Sequence, residues 1–398
     1  MAFQGKTVPY LKPFCGSMKT RYPYMKSDNS DRKRATRNSI YRYLYDSKEF
    51  CSRQTLANEL GLSLPTVYQN LAELMELGLV CTTDEKLSTG GRKVEGLSIV
   101  SQARFALGVS ISVNSFRISE VDLKMNELAY KKISLPRSNS LEDYVDLLKR
   151  EIEQFLDEFK IDRERLLGVG IALPGVVSED GSKLEYAPTL NLCNVSFDRF
   201  EKECPYPVHI ENDANCGGGA EWFVRDSIKN VAYLSLEHGI GGAVFGNGVP
   251  YYGDNHRSGE FGHICVEPGG LRCSCGRQGC LEAYCSVGRI STDIGVTEEE
   301  FFQGLRNGSI EYIQRWENYL YHLAIGINNI RMVLNCDVVL GGFMSEYIEP
   351  YLPRLKEYLT ALNPFGEDAD YIKLSRCRKH TIPMGAALYY IIKFLDEL

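Results

Sequence analysis

Residues 273–280 read Cys-Ser-Cys-Gly-Arg-Gln-Gly-Cys, three thiols within eight residues on a loop kinked by Gly276 and Gly279. Ordinary buried cysteines are not bunched this tightly. Zinc is bound tetrahedrally by Cys and His, so the pattern asks the fold to deliver a fourth ligand to Cys273, Cys275 and Cys280. His263, ten residues upstream, can supply a nitrogen, and Cys265 and Cys285 compete with it. Four protein ligands leave no position open for water, so such a zinc is structural. It would pin Glu260 and Glu282, on either side of it, into one pocket.

The rest of the composition sets bounds. A chain of 398 residues with 44% hydrophobic and 24% charged residues is an ordinary globular protein of two or three domains. It has no apolar run near the ~18 residues of a membrane span, and no secretory leader is expected at its start, so a cytoplasmic location is expected. There most of the 13 cysteines stay reduced, as small apolar core residues. The net charge of −7 conceals an asymmetry: residues 1–42 carry ten Lys or Arg against Asp28 and Asp31. A basic front on an acidic body suggests a polyanion-binding head. Residues 1–30 read as a basic, solvated and partly disordered leader.

Residues 31–100 read as three helices and a hairpin. Helices are expected near Arg32–Tyr45, Ser52–Leu60 and Leu64–Leu77, the last two joined by Gly61-Leu62-Ser63, a turn ending in an N-cap residue. Val67, Leu71, Leu74 and Leu77 form the apolar stripe of the third helix, which would leave Pro65 in its first turn and Thr66, Gln69, Asn70 and Glu73 outward. A helix, a tight turn and a helix with a polar N-terminal face make a helix-turn-helix, whose second helix reads the major groove. Gln and Asn can bond adenine bidentately. A hairpin between Gly78 and Ile99, with Gly91, Arg92 and Lys93 at its tip, has the chemistry of a wing that offers cations to phosphates. Double-stranded operator DNA is the expected partner.

From Arg104 the pattern changes to short strands and amphipathic helices. Phe105–Ile111, Phe116–Asp122 and Tyr130–Leu135 read as a meander followed by the helix Leu141–Phe159 and the strand Leu167–Ala172. Val231–Leu236 and Ile240–Phe245 open a second set, with a helix near Glu311–Val333 and the strand Val338–Leu340. Two such sets suggest an α/β body of two similar lobes with a cleft between them.

Four motifs carry a resemblance to a known family. Leu87–Lys93 resembles a repressor wing, Glu211-Asn212-Asp213-Ala214-Asn215 a sugar-binding and catalytic-aspartate segment, Gly259-Glu260-Phe261-Gly262-His263 a link between sugar and metal, and Cys273–Glu282 a zinc motif. Together they resemble the ROK family, the repressors, open reading frames and kinases of bacterial sugar metabolism, from about Asp31 to Leu398. The resemblance implies a winged helix-turn-helix followed by a two-lobed actin-like body of the sugar-kinase, ribonuclease H-like class. On this division residues 101–212 with 380–398 form the first lobe and 213–379 the second. It favours His263 as the fourth zinc ligand, and Asn212, Asp213, Glu260, His263 and Glu282, with Asn191, as sugar contacts. His263 could use one nitrogen for zinc and the other for sugar.

The phosphate loops depart from the family's kinases. Where those kinases carry Asp-x-Gly-x-Thr, this chain has Ser110-Ile111-Ser112-Val113-Asn114, and Gly-Thr-Gly-Ile-Gly becomes Glu237-His238-Gly239-Ile240-Gly241. A glutamate stands where phosphates should come, a repulsive placement. ATP binding and catalysis are expected to be lost, which turns Asp213, the kinases' base, into an acceptor for a sugar hydroxyl. The sequence therefore reads as a sugar-responsive DNA-binding regulator, a homodimer or homotetramer that represses carbohydrate-utilisation genes. The alternative is a sugar kinase with an appended winged helix.

Overall fold

The computed structural model describes residues 29–47, 51–87, 94–112, 115–135, 141–178, 181–187, 190, 192–225, 230–366, 368–377 and 380–398. Asn191, the wing-tip residues Gly91, Arg92 and Lys93, and all of the expected leader except Asn29 and Ser30 lie outside them.

The front of the chain forms α1 (Asn29–Asp46), α2 (Arg53–Leu60), α3 (Leu64–Glu76) and an antiparallel hairpin of β1 (Val80–Leu87) and β2 (Val94–Ile99). Local chemistry fixes the boundaries. Ser52 and Thr55 close a reciprocal capping box at the start of α2, Gly61 ends it in the left-handed conformation (φ +63°), and Ser63 caps α3 by accepting from Thr66 N at 3.3 Å. Val67, Leu71 and Leu74 are buried against Ile40, Tyr41, Leu44 and Leu56.

Two expectations for α3 fail. Leu77 lies beyond the last helical turn and is 43% exposed. Asn70 is buried, because positions 67, 70, 71 and 74 share one helix face, and its Nδ2 donates to Thr66 O at 2.8 Å. Glu73 is half-buried and pairs with Lys33 and Arg37 of α1.

The body repeats one topology. β3 (Phe105–Ile111), β4 (Ser115–Asp122) and β5 (Glu127–Ser134) form an antiparallel meander. β5 begins earlier than expected because the Asp122 carboxylate binds the amides of Lys124 and Asn126 in a tight turn. Then come α4 (Leu141–Glu158), β6 (Leu166–Leu173), a small sheet of β7 (Val176–Val177), β8 (Lys183–Ala187) and β9 (Leu192–Ser196), α5 (Asp198–Glu203), β10 (Val208–Asn212) and α6 (Asp213–Phe223). β6 runs parallel to β3 and β10 parallel to β6, giving the order β5-β4-β3-β6-β10.

The second half contains β11 (Asn230–Leu236), β12 (Ile240–Gly246), β13 (Val249–Pro250), α7 (Glu282–Cys285), α8 (Glu298–Arg306), α9 (Ile310–Leu334), β14 (Asp337–Gly341), α10 (Ser345–Ile348), α11 (Leu352–Leu362), β15 (Ile372–Leu374) and α12 (Thr381–Glu397). Its sheet order, β13-β12-β11-β14-β15, matches the first strand for strand, with the same antiparallel meander and parallel additions.

Helices α6 and α12 pack against each other between the two sheets, α6 on β11 and β12, α12 on β3 and β6. Small residues make the approach possible. A Cβ on Gly385 would stand 1.8 Å from the carbonyl oxygen of Cys216, and one on Gly108 would stand 1.7 Å from that of Pro383. The far end of α12 reaches the front domain: Arg37 Nε donates to Leu398 O at 3.2 Å, Asn38 Nδ2 to Leu395 O at 2.7 Å, and Arg42 pairs with Asp396. One apolar core runs from Ile40 and Tyr41 of α1 through Leu388 and Leu395 of α12 to Ala220 of α6.

Candidate functional site

A cleft of about 170 Å³ opens between the lobes where β10 meets α6 and β11 turns into β12. That is below the ~300–1,000 Å³ typical of drug-sized ligands and suits something smaller. Asn212 and Asp213 enter it at the head of α6, Glu260 and His263 from a 3-10 turn, and Glu282 from the start of α7. Of the residues expected to bind sugar, these five line one cavity.

The expected metal ligands lie at its edge. The donor atoms of His263, Cys273, Cys275 and Cys280 are all within 4.8 Å of one another, and this cluster could hold a metal ion. Ligand sulfurs about 2.3 Å from a tetrahedral zinc stand roughly 3.8 Å apart. Cys275 and Cys280 are separated by 3.8 Å, as are Cys273 Sγ and His263 Nδ1. The competitors stand aside. Cys285 donates to Tyr319 O in the core, and Cys265 is exposed, outside the cluster. Gly279, at φ +82°, is required by the loop: a Cβ would stand 2.0 Å from Glu267 O.

Glu282 ties this corner to the cleft. Its Oε1 accepts from Ser274 Oγ at 2.9 Å and lies 3.7 Å from Cys273 Sγ, while Oε2 accepts from Ile240 N at 3.0 Å. His263 presents Nδ1 to the thiols and Nε2 toward Glu260, 4.0 Å away.

Asn212 is held by structure as well as facing the cleft. Its Oδ1 caps α6 by accepting from Asn215 N at 3.0 Å, and Nδ2 donates to Gly175 O at 2.8 Å. Asp213 beside it is pushed up to about 7 by burial first and Glu237 second, against the opposing pull of the Ala214 amide and Arg117. Burial also raises Glu260, opposed by His263. These carboxylates, imidazole and amides converge on one space, and their lone pairs and N–H groups suit a polyhydroxylated ring.

At the other end of the cleft, Glu237 Oε1 accepts from the Phe343 amide at 3.2 Å and lies 3.5 Å from Arg117 Nη1 on β4 of the opposite lobe. Arg117 is anchored in turn by donating from Nε to Ser110 Oγ at 2.9 Å. The sequence flagged Glu237 and Ser110 but not Arg117, whose partner lies 120 residues away. His256, Ser258 and Tyr186 also line the cleft, and no motif singled them out.

On the front domain Pro65 and Gln69 are exposed and Thr66 is half-buried, bonded to Ser63. Tyr68, 56% exposed beneath the Arg53 guanidinium, joins that face, and Asn70 does not. Among the described residues no helix is long and apolar enough to cross a membrane.

The ROK family model matches residues 106–391. The DNA-binding transcriptional dual regulator NagC of Escherichia coli K12 is 32% identical over 367 residues, covering 84% of this chain and 87% of the relative. The xylose repressor of Bacillus subtilis is 28% identical over 297 residues, 73% and 77% of the two chains. Among solved structures, a ROK family transcriptional regulator homologous to the E. coli MLC protein superposes with a TM-score of 0.72 at 22% identity, covering 92% of this chain and 97% of that one.

Proposed function

The chain belongs to the ROK family, and from that premise we propose that it is a sugar-responsive, DNA-binding transcriptional repressor of carbohydrate-utilisation genes, acting in the cytoplasm as a homodimer or homotetramer. The observation that carries this reading is the unbroken route from cleft to head. Asp213 opens α6, α6 packs on α12, and the end of α12 is gripped by Arg37, Asn38 and Arg42 of α1.

A monosaccharide held by Asp213, Glu260, His263 and Glu282, with Asn212 beside them and Asn191 as a further contact implied by the resemblance, draws the lobes together. The α6–α12 pair moves with them, and α12 shifts α1 and the recognition helix it supports. In the major groove Pro65, Thr66 and Gln69 face the bases, while Arg92 and Lys93 serve the backbone. Two heads on one oligomer must match half-sites about one helical turn, or a multiple, apart, so a movement of a few ångströms weakens one of them. The sugar shifts that balance only by its differential affinity for the two states, commonly ~1–3 kcal/mol.

Zinc held by His263, Cys273, Cys275 and Cys280 has a structural part, fixing the loop that carries Glu282 and the imidazole of His263. Phosphoryl transfer is absent from this reading. What supports this is that Glu237, in the segment that the resemblance aligns with a kinase phosphate loop, is engaged by Arg117 and the Phe343 amide.

The test is fluorescence anisotropy of a duplex selected by the protein from a random library, titrated with D-glucose, D-xylose and N-acetyl-D-glucosamine. One of them should change DNA affinity about 5- to 150-fold. A selected duplex bound equally in the presence of every sugar would sink the coupling.

A further inference from the structure

One side chain of the cleft wall stands on a backbone conformation that few residues other than glycine adopt. His256 has φ +51°, in the left-handed region that residues other than glycine adopt infrequently. Its loop is pinned at both ends. Ser258 N donates to Tyr252 O at 3.0 Å, and Gly259 is pressed so closely on Gly242 that a Cβ would stand 2.4 Å from the Gly242 carbonyl oxygen. Asp254, Asn255 and Arg257 point to solvent, whereas His256 is half-buried and lines the cleft.

The inward pose is braced from behind. The imidazole stacks on Tyr252 with ring centroids 4.9 Å apart, and the Tyr252 hydroxyl donates to Glu211 Oε2 at 3.1 Å. Glu211 Oε1 accepts from Asn212 N at 2.7 Å and from Asn215 Nδ2 at 3.0 Å, so the histidine is tied to the head of α6 through two residues. The loop itself gives no reason for a histidine, since glycine would take the same φ without strain. Residues in this conformation cluster at binding sites, held there by surrounding structure that over-determines them, as the Tyr252 stack and the pinned loop do here.

Resting on the reading of this cleft as a monosaccharide site, we propose that His256 is a specificity-determining residue: its imidazole, oriented by Tyr252, hydrogen-bonds one oxygen substituent of the sugar ring. Selectivity among sugars is then set on this loop as well as by the motif residues Asp213, Glu260 and Glu282.

Calorimetric titration of the full chain, zinc retained, with D-glucose, D-xylose, N-acetyl-D-glucosamine and D-glucose 6-phosphate tests this on wild type, His256→Gly and His256→Asn. The Gly variant should melt no lower than wild type, because the strain is relieved. It should nevertheless bind the preferred sugar at least ten-fold more weakly and level the preference across the four. The Asn variant tolerates the left-handed backbone and keeps a polar reach, and should recover part of both. Wild-type affinity and an unchanged order of preference in His256→Gly would overturn the assignment, as would equal losses in both variants accompanied by a lower melting temperature. A wild-type protein that binds none of the four overturns the monosaccharide reading itself, an outcome distinct from failure of the histidine alone.

Discussion

The two ends of the cleft are built from similar material, a strand end and a glycine-bearing loop with carboxylates around it, yet they are finished in opposite ways. At the α6 end Asp213 and Glu260 are crowded by protein and by other acids, and both are raised from the ordinary carboxylate range. At the β11–β12 end Glu237 takes the Phe343 amide and the Arg117 guanidinium, although its charge also reaches Asp213 and helps to raise it. Strained electrostatics at one end and satisfied electrostatics at the other mark where a ligand is expected. The comparison teaches that carboxylates lining one cleft can be finished in different ways, one left crowded by burial and another partnered across the lobes.

The largest effect should come from removing what holds the α6 end in shape. Cys275 is exposed, so Cys275→Ala deletes a ligand without hollowing the core. Metal binding is coupled to folding. The variant should lose stoichiometric zinc, measured by release to a chromophoric chelator, and its sugar affinity should fall about 100-fold, the upper end of the range seen when metal-site support is lost. Full sugar affinity in a zinc-free protein would separate the two corners that Glu282 joins.

Asp213 gives the next effect. Substitution by Asn removes an acceptor whose charge-assisted bonds to hydroxyls are worth ~1.5–3 kcal/mol, a loss of roughly 10- to 150-fold in sugar affinity. The same variant tests the electrostatics of this end. The folded pKa of about 7 lies above the ordinary 3.8, so the folded state holds more protons between those values. Asp213 therefore lowers stability as pH rises through that window. The melting temperature of Asp213→Asn relative to wild type should climb from pH 5 to pH 8 and level off above it. A difference that stays flat over that range would mean that the folded state does not raise this carboxylate.

Much of this comparison was legible in the sequence. The clustered cysteine loop, the capped turn between α2 and α3 and the repeated strand pattern all depend on local spacing, and local spacing is what a sequence displays. Val67, Leu71 and Leu74 recur with the helical period, and that period, applied strictly, also reaches Asn70. Reading polarity instead of position put it outside. Arg117 and Glu237 meet only because two lobes face each other, and no pattern within β4 or the β11–β12 turn signals a partner 120 residues away. His256 is hidden for another reason. Its distinguishing property is a backbone angle, and the residues around it, Asp254, Asn255 and Arg257, read as an ordinary polar loop.

The smallest expected effect belongs to the self-satisfied end, and its smallness is the point. Arg117 and Glu237 are 13% and 19% exposed, and their 3.5 Å contact is long for an ion pair. A double-mutant cycle of Arg117→Ala and Glu237→Gln should give a coupling of no more than ~1 kcal/mol in stability. Sugar affinity should move less than about three-fold in either single variant. Neither the wild type nor Glu237→Gly should release ADP from ATP with any sugar, because restoring one glycine still leaves Ser110 where the kinases of the family carry a carboxylate. Sugar-dependent ADP release by the wild type, abolished by Asp213→Asn, would break the comparison from its quiet side. Asp213 would then be a base with a nucleotide opposite it, and the pair would be a gate that opens to admit phosphate.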